Sequence, residues 1–144
     1  MATTITQSVL ARFAAAAISE FSTSGGLWLE EAPEGSPLPL AGFTHGGERP
    51  EYTTEEAYTD AGSIDFDIYA VTVAETERLA KLVLNLFDAC VKNPRLLDFT
   101  GGYVISWERT NYRIGVEGFR REDNKQIGHA TFSYSYVTQK SLPT

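Results

Sequence analysis

The chain has 144 residues, 42% of them hydrophobic and 22% charged, a composition expected of one folded domain and far from that of disordered chains. Its net charge of −7 excludes loose adhesion to phosphate backbones or anionic membranes, because such binding needs a basic surface that releases counterions. The one cysteine, Cys90, lies in an apolar run; it excludes an intrachain disulfide and a cysteine-based zinc site, and predicts a buried thiol in a cytosolic setting.

From Thr4 to Phe21, Ile5, Val9, Phe13, Ala17 and Phe21 recur at four-residue spacing, which predicts one amphipathic helix capped by Thr4 or Thr6 and ended by Gly25-Gly26. No cationic region opens the chain and no apolar run approaches the ~20 residues of a membrane span, so neither a signal peptide nor a membrane segment is expected. Leu27-Trp28-Leu29 reads as a short strand. Pro33, Pro37 and Pro39 then forbid regular ladder pairing except at a sheet edge, and the segment from Ala32 to Phe43 is expected to be a loop. The next stretch, at about 43–62, mixes Tyr and Thr with acids and predicts an extended arm or hairpin standing away from the core, neither face being apolar enough to form a core wall.

Ile64, Phe66, Ile68 and Ala70 alternate with Asp65, Asp67, Tyr69 and Val71, the pattern of a half-buried strand with its acids toward solvent. It leads into a helix begun by the Thr72-x-x-Glu75 capping box, with Leu79, Leu82, Val83, Leu86, Phe87 and Cys90 on its buried side and Asn93-Pro94 as its stop. The last third predicts a β-meander. Tyr103, Ile105 and Trp107 share one face, as do Tyr112, Ile114 and Val116; after the turn at Glu122 to Lys125, Ala130, Phe132, Tyr134 and Tyr136 oppose His129, Thr131, Ser133 and Ser135. With no parallel β-α-β alternation visible, the expected fold is α+β: an antiparallel or mixed sheet of about five strands with two helices on one face, plus the arm, in a single domain over residues 1–144.

Catalytic chemistry finds little support. His45 and His129 sit at no metal-ligand spacing, and His45-Gly46-Gly47 has no nucleophile elbow to serve, so it reads as a glycine turn. Gly101-Gly102 precedes a strand where a phosphate cradle needs a helix. Asp65 and Asp67 lie about 7 Å apart on one strand face, close enough for paired acid-base work but more simply a solvated face. Tyr134 and Tyr136 read as core aromatics. No cofactor, metal or catalytic constellation is expected, and the protein reads as a non-enzyme.

Charge is distributed unevenly. Between Glu30 and Asp67 ten acids face one cation, Arg49, whereas Arg109, Arg113, Arg120, Arg121 and Lys125 outweigh Glu117, Glu122 and Asp123 in the segment from Arg109 to Lys125. Opposite charges on separate segments suit a part that assembles.

The order of a helix, a strand, a Pro-rich excursion, the strand SIDFDIYAVT feeding the helix VAETERLAKLVLNLFDAC, and a meander ending in TFSYSYV resembles the tail terminator, or tail-completion, proteins of long-tailed bacteriophages. The likeness covers most of the chain from Ile64 onward and, more loosely, the first helix. It implies a structural virion protein, assembled in the host cytoplasm, that forms a homo-hexameric ring at the head-proximal end of the tail. Such a ring stops tail-tube polymerisation, contacts the tail-tube protein and the head-completion or connector protein, and passes DNA through its lumen without gripping it. In such a ring, Glu48, Glu51, Tyr52, Glu55, Glu56, Tyr58 and Asp60 are expected to face Arg113, Arg120 and Arg121 of a neighbouring subunit. Another neck ring, of the head-completion or stopper kind, shares this pattern. A cone-shaped α+β ligand binder is the other alternative, against which stands the lack of a His-Asp dyad; a monomeric adaptor would be told apart by the absence of self-association.

Overall fold

Thr4 opens the first helix, α1 (Ile5–Ala16): its backbone is extended, and its hydroxyl accepts the N–H of Gln7. The helix stops a turn sooner than its spacing predicts. Ala17 takes a left-handed conformation at φ 50°, and the 3-10 turn Ser19–Ser24 folds Phe21 back until its ring lies 5.6 Å from that of Phe13. Tertiary packing of two phenylalanines thus outweighs continuation of the periodic pattern. The computed structural model describes residues 4–24, 26–30, 37–52, 57–120 and 125–141.

Five strands form one sheet in the order β1-β2-β3-β5-β4: β1 (Leu27–Leu29), β2 (Leu40–Tyr52), β3 (Ala57–Ala70), β4 (Gly102–Arg120) and β5 (Lys125–Ser141). β1 pairs with β2 in parallel and the other pairs are antiparallel, so the sheet is mixed. The expected loop ends before Leu40, and Ala41 and Phe43 are wholly buried. A β-α-β crossover is also present where none was expected. β3 and β4 both run antiparallel to β5, hence parallel to each other, and the helix α2 (Val73–Lys92) joins them. β5, later in the chain, fills the gap between them, which hides the motif from a linear reading.

Both helices lie on one face. α2 starts where the Thr72 hydroxyl accepts the N–H of Glu75 at 3.1 Å, but the Glu75 carboxylate turns to Arg78, so the reciprocal half of the capping box is not made. Gly128 lets its first turn approach β5, since a Cβ there would sit 2.3 Å from Thr76 Oγ1. Toward its other end the Trp107 indole donates to the Phe87 carbonyl at 3.0 Å. Phe66 centres the core between them, its ring 4.7 Å from Phe87 and 5.1 Å from Phe132. Cys90, Tyr134 and Tyr136 are buried as expected. Leu82 is not: at 42% exposed it leaves the buried side of α2 to Leu79, Val83 and Phe87.

β4 departs most from simple alternation. A bulge between Val104 and Ser106 moves the strand by one residue, so Val104 and Trp107 are buried while Tyr103 and Ile105 are more than 40% exposed. Further bulges lie at Arg109/Asn111 and Val116/Gly118; Tyr112 and Ile114 stay packed on the core, and Val116 is exposed.

Candidate functional site

The uncovered face of the sheet carries the alternate residues of the strands that build the core. There the pairing Asp67↔Thr131 and Tyr69↔His129 brings His129 Nε2 to 2.7 Å from Asp67 Oδ1, with the Thr131 hydroxyl donating to the same oxygen at 3.1 Å. The Tyr69 ring stacks on His129 at 4.2 Å, and the Ser133 hydroxyl donates to Asp65 at 2.5 Å. A His-Asp pair therefore exists, contrary to expectation. Sixty-two positions separate its members, so only strand register could reveal it. It stands on an open sheet face with its carboxylate engaged by a neighbouring hydroxyl, an arrangement that ties β3 to β5. Asp65 and Asp67 are likewise bonded within the sheet and are not simply solvated. No group of three or more His, Cys, Asp or Glu side chains suited to a metal occurs among the described residues.

The stretch at 43–62 does not stand apart from the sheet. β2 and β3 form the expected hairpin, but β5 continues beside it, pairing Ala61↔Val137 through Ala57↔Ser141, so the extension is three-stranded. His45-Gly46-Gly47 forms a bulge in β2 at its base, with Gly47 at φ +84°. A Cβ on Gly62 would lie 2.7 Å from both the Gly47 carbonyl and the Tyr136 hydroxyl. That hydroxyl is hydrogen-bonded to His45 Nε2 and donates to Glu48 Oε1 at 2.7 Å. Burial, reinforced by the Glu48 and Asp60 carboxylates, pushes the Tyr136 phenol well above its ordinary range, so it stays a donor.

The residues expected at a subunit contact fall into distinct places. Glu48 is held at the base of the extension by Tyr136. Asp60 lies on the core side of β3 opposite Thr138 and is 4% exposed; strand parity turns it inward, which corrects the surface role expected of it. The backbones of Glu51, Tyr52 and Tyr58 place those residues further along the extension. Arg113 is exposed and shares the open face with Thr131, while Arg120 sits in the hairpin that joins β4 to β5. Glu55, Glu56 and Arg121 lie outside the described residues. Fourteen residues of β5 separate Gln139, level with Glu51 through Thr59, from Lys125 beside Arg120, or about 46 Å at about 3.3 Å per residue. The acidic extension and the hairpin that carries Arg120 are thus at opposite ends of the sheet. Among the described residues, the acids between Glu30 and Asp67 are spread over several places: Glu30 follows β1, Asp65 and Asp67 are on the open face, and Glu48 and Glu51 are on the extension.

An open apolar groove runs along α1, lined by Leu10, Phe13, Ala14, Ala17, Ile18 and Leu27. The Ser22 hydroxyl at its rim donates to the Ser19 carbonyl at 2.6 Å, so this polar group is turned back to the chain's own backbone. Among the described residues no helix is long and apolar enough to cross a membrane.

This architecture, an α+β unit with a five-stranded mixed sheet backed by two helices, is shared with a known structure. The chain superposes on a protein of the virion of a native gene transfer agent particle with a TM-score of 0.59, over 91% of each chain and at 12% identity. At that identity the likeness is one of fold. No protein-family model matches the sequence, and no curated protein matches it.

Proposed function

We propose that this protein is a structural subunit of a phage-type virion, a non-enzymatic ring component at the head-proximal end of a tail. The single observation that carries this reading is the likeness in fold, over nine-tenths of both chains, to a protein of a gene transfer agent virion. In this role the ring is a homo-hexamer that ends tail-tube growth, meets the tail-tube protein on one side and the head-completion or connector protein on the other, and lets DNA through its lumen. A net charge of −7 per subunit suits a passage that DNA must slide through and not adhere to. Neighbouring subunits are matched by charge, the acids of the β2–β3 extension against Arg113, Arg120 and Arg121 of the next copy. Exposed ion pairs of this kind set register and partner choice more than affinity, and salt screens them.

The test is the mass of the full chain in solution, by light scattering across a salt series. A closed oligomer that loses mass as salt rises is the expected result, with Arg113→Glu plus Arg121→Glu shifting the protein toward monomer at low salt. An oligomer unchanged by both substitutions would refute the charge pairing, and a strict monomer, with or without tail tube, would refute the ring.

A further inference from the structure

The groove along α1 and an apolar patch on β4 both face solvent, on opposite sides of the sheet. The groove has a volume of about 680 Å³, and no charged side chain lines it in a chain of which 22% is charged. Arg12, the one charge of α1, is drawn to α2 instead, where its Nε donates to the Leu86 carbonyl at 3.0 Å. The patch lies on the open face. Tyr103 and Ile105 are 41% and 46% exposed, and they adjoin the row that register forms from Ser106, Val137 and the exposed Ala61, alternating with the buried Val104, Tyr136 and Thr138. Arg49 bounds this row on the β2 side. At the other rim Arg95 stacks over the Tyr103 ring at 4.7 Å, its charge paired with Asp98 at 2.6 Å. An apolar centre with a polar rim is the make-up of a protein contact.

The two surfaces cannot meet within one chain. The groove reaches the sheet at Leu27, whose row runs through Ala41, Ile68 and Ala130 to Ile114. From Leu27 to the patch is four strands across, about 19 Å at about 4.8 Å per strand, and seven residues along β5 from Ala130 to Val137, about 23 Å at about 3.3 Å per residue, with the sheet between. What fills the groove must be apolar, uncharged and projecting. Leu82, Val91 and Val116 are as exposed but stand apart from one another, whereas Tyr103 and Ile105 share one site with Val137 and Ala61. We infer that the Tyr103–Ile105 patch of one copy seats in the α1 groove of the next. The inference rests on the ring reading and deepens it: this contact supplies affinity, and exposed ion pairs set register. A patch that fits a pocket elsewhere on the same molecule makes a heterologous contact, which closes into a ring when the turn between copies divides the circle and otherwise runs on as a filament. Neighbours overlap face to back, because groove and patch lie on opposite faces and toward opposite edges of the sheet.

Two variants of the full chain test this, Ala14→Cys on the groove and Ile105→Cys on the patch; both positions are exposed, and the native thiol of Cys90 is buried. Oxidised as an equimolar mixture, they are expected to give a linked dimer on a non-reducing gel, and neither gives one alone, because the contact brings groove to patch and never like to like. If light scattering shows the unaltered chain to be a closed oligomer and the mixture gives no linked dimer, the contact is overturned while the ring reading stands. A strict monomer at every concentration, with or without tail tube, refutes both. A linked dimer from the mixture, with the unaltered chain growing into open filaments, upholds the contact and refutes the ring. Substitution at the patch gives a second measurement. Ile105→Lys should raise the concentration needed for assembly about tenfold or more, since it carries a charge into an apolar groove, and Ile105→Val should leave it nearly unchanged. Equal assembly by all three chains would count against the contact.

Discussion

β3 and β5 present two faces built from alternate residues of the same strands, and the two are held by different physics. On the covered face Phe66, Phe132, Tyr134 and Tyr136 are almost fully buried, and rings meet rings at 5–6 Å. On the open face His129, Thr131 and Ser133 bond Asp67 and Asp65 across the strands. Burying one large apolar side chain is worth about 1.5–3 kcal/mol, whereas a partly exposed hydrogen bond nets about 0.5–1.5 kcal/mol. Stability is thus concentrated under the helices, and the surface chemistry can change at small cost to the fold.

The contrast breaks most visibly at Phe66. Phe66→Ala should cost about 3–5 kcal/mol, read as a lower urea midpoint, because its cavity opens at the meeting point of three strands and α2. A loss below 1 kcal/mol would mean that the aromatic cluster is not the centre of stability. Gly62→Ala comes next, at about 1–3 kcal/mol, since the added methyl must displace the Gly47 carbonyl or the Tyr136 hydroxyl. On the open face, Asp67→Ala should cost only about 0.5–1.5 kcal/mol, and a double-mutant cycle with His129→Ala should show coupling of the two. If the cycle closes with no coupling, the His129–Asp67 contact contributes nothing in solution.

The smallest effect concerns pH and lies on the helical side. The Arg78 guanidinium, 2.6 Å from Glu75 and 3.3 Å from Glu20, ties α2 to the 3-10 turn after α1. Glu75 is held below its ordinary pKa chiefly by its hydrogen bond to Arg78; Glu20 is lowered first by its backbone hydrogen bond and then by Arg78. A carboxyl whose folded pKa is depressed contributes stability that is present above its ordinary value of 4.5 and lost as pH falls through the folded pKa. Arg78→Ala should therefore lower the melting temperature slightly at pH 7, and the gap should narrow as pH falls below 4.5. A gap that stays constant through that range would exclude these ion pairs as its source.

The sequence by itself determined what depends on neighbours along the chain. Thr4 and Thr72 cap their helices, Asn93-Pro94 ends α2, the alternation from Ile64 to Ala70 and from Ala130 to Tyr136 sorts the two sheet faces, and Cys90 is buried. The two-helix, five-strand α+β class followed from those local signals, and so did the segregation of charge between two segments. Tertiary structure decided whatever depends on register between distant strands. β5 inserted between β3 and β4 hid the crossover, joined His129 to Asp67, made the acidic extension three-stranded and set Glu51 and Arg120 at opposite ends. The bulge after Val104 reversed the faces of Tyr103 and Ile105, and the packing of Phe21 on Phe13 shortened α1. The physical reason is common to all of these: a one-residue shift in pairing exchanges every side chain between the two faces, and register is fixed only when distant strands pack over a shared core.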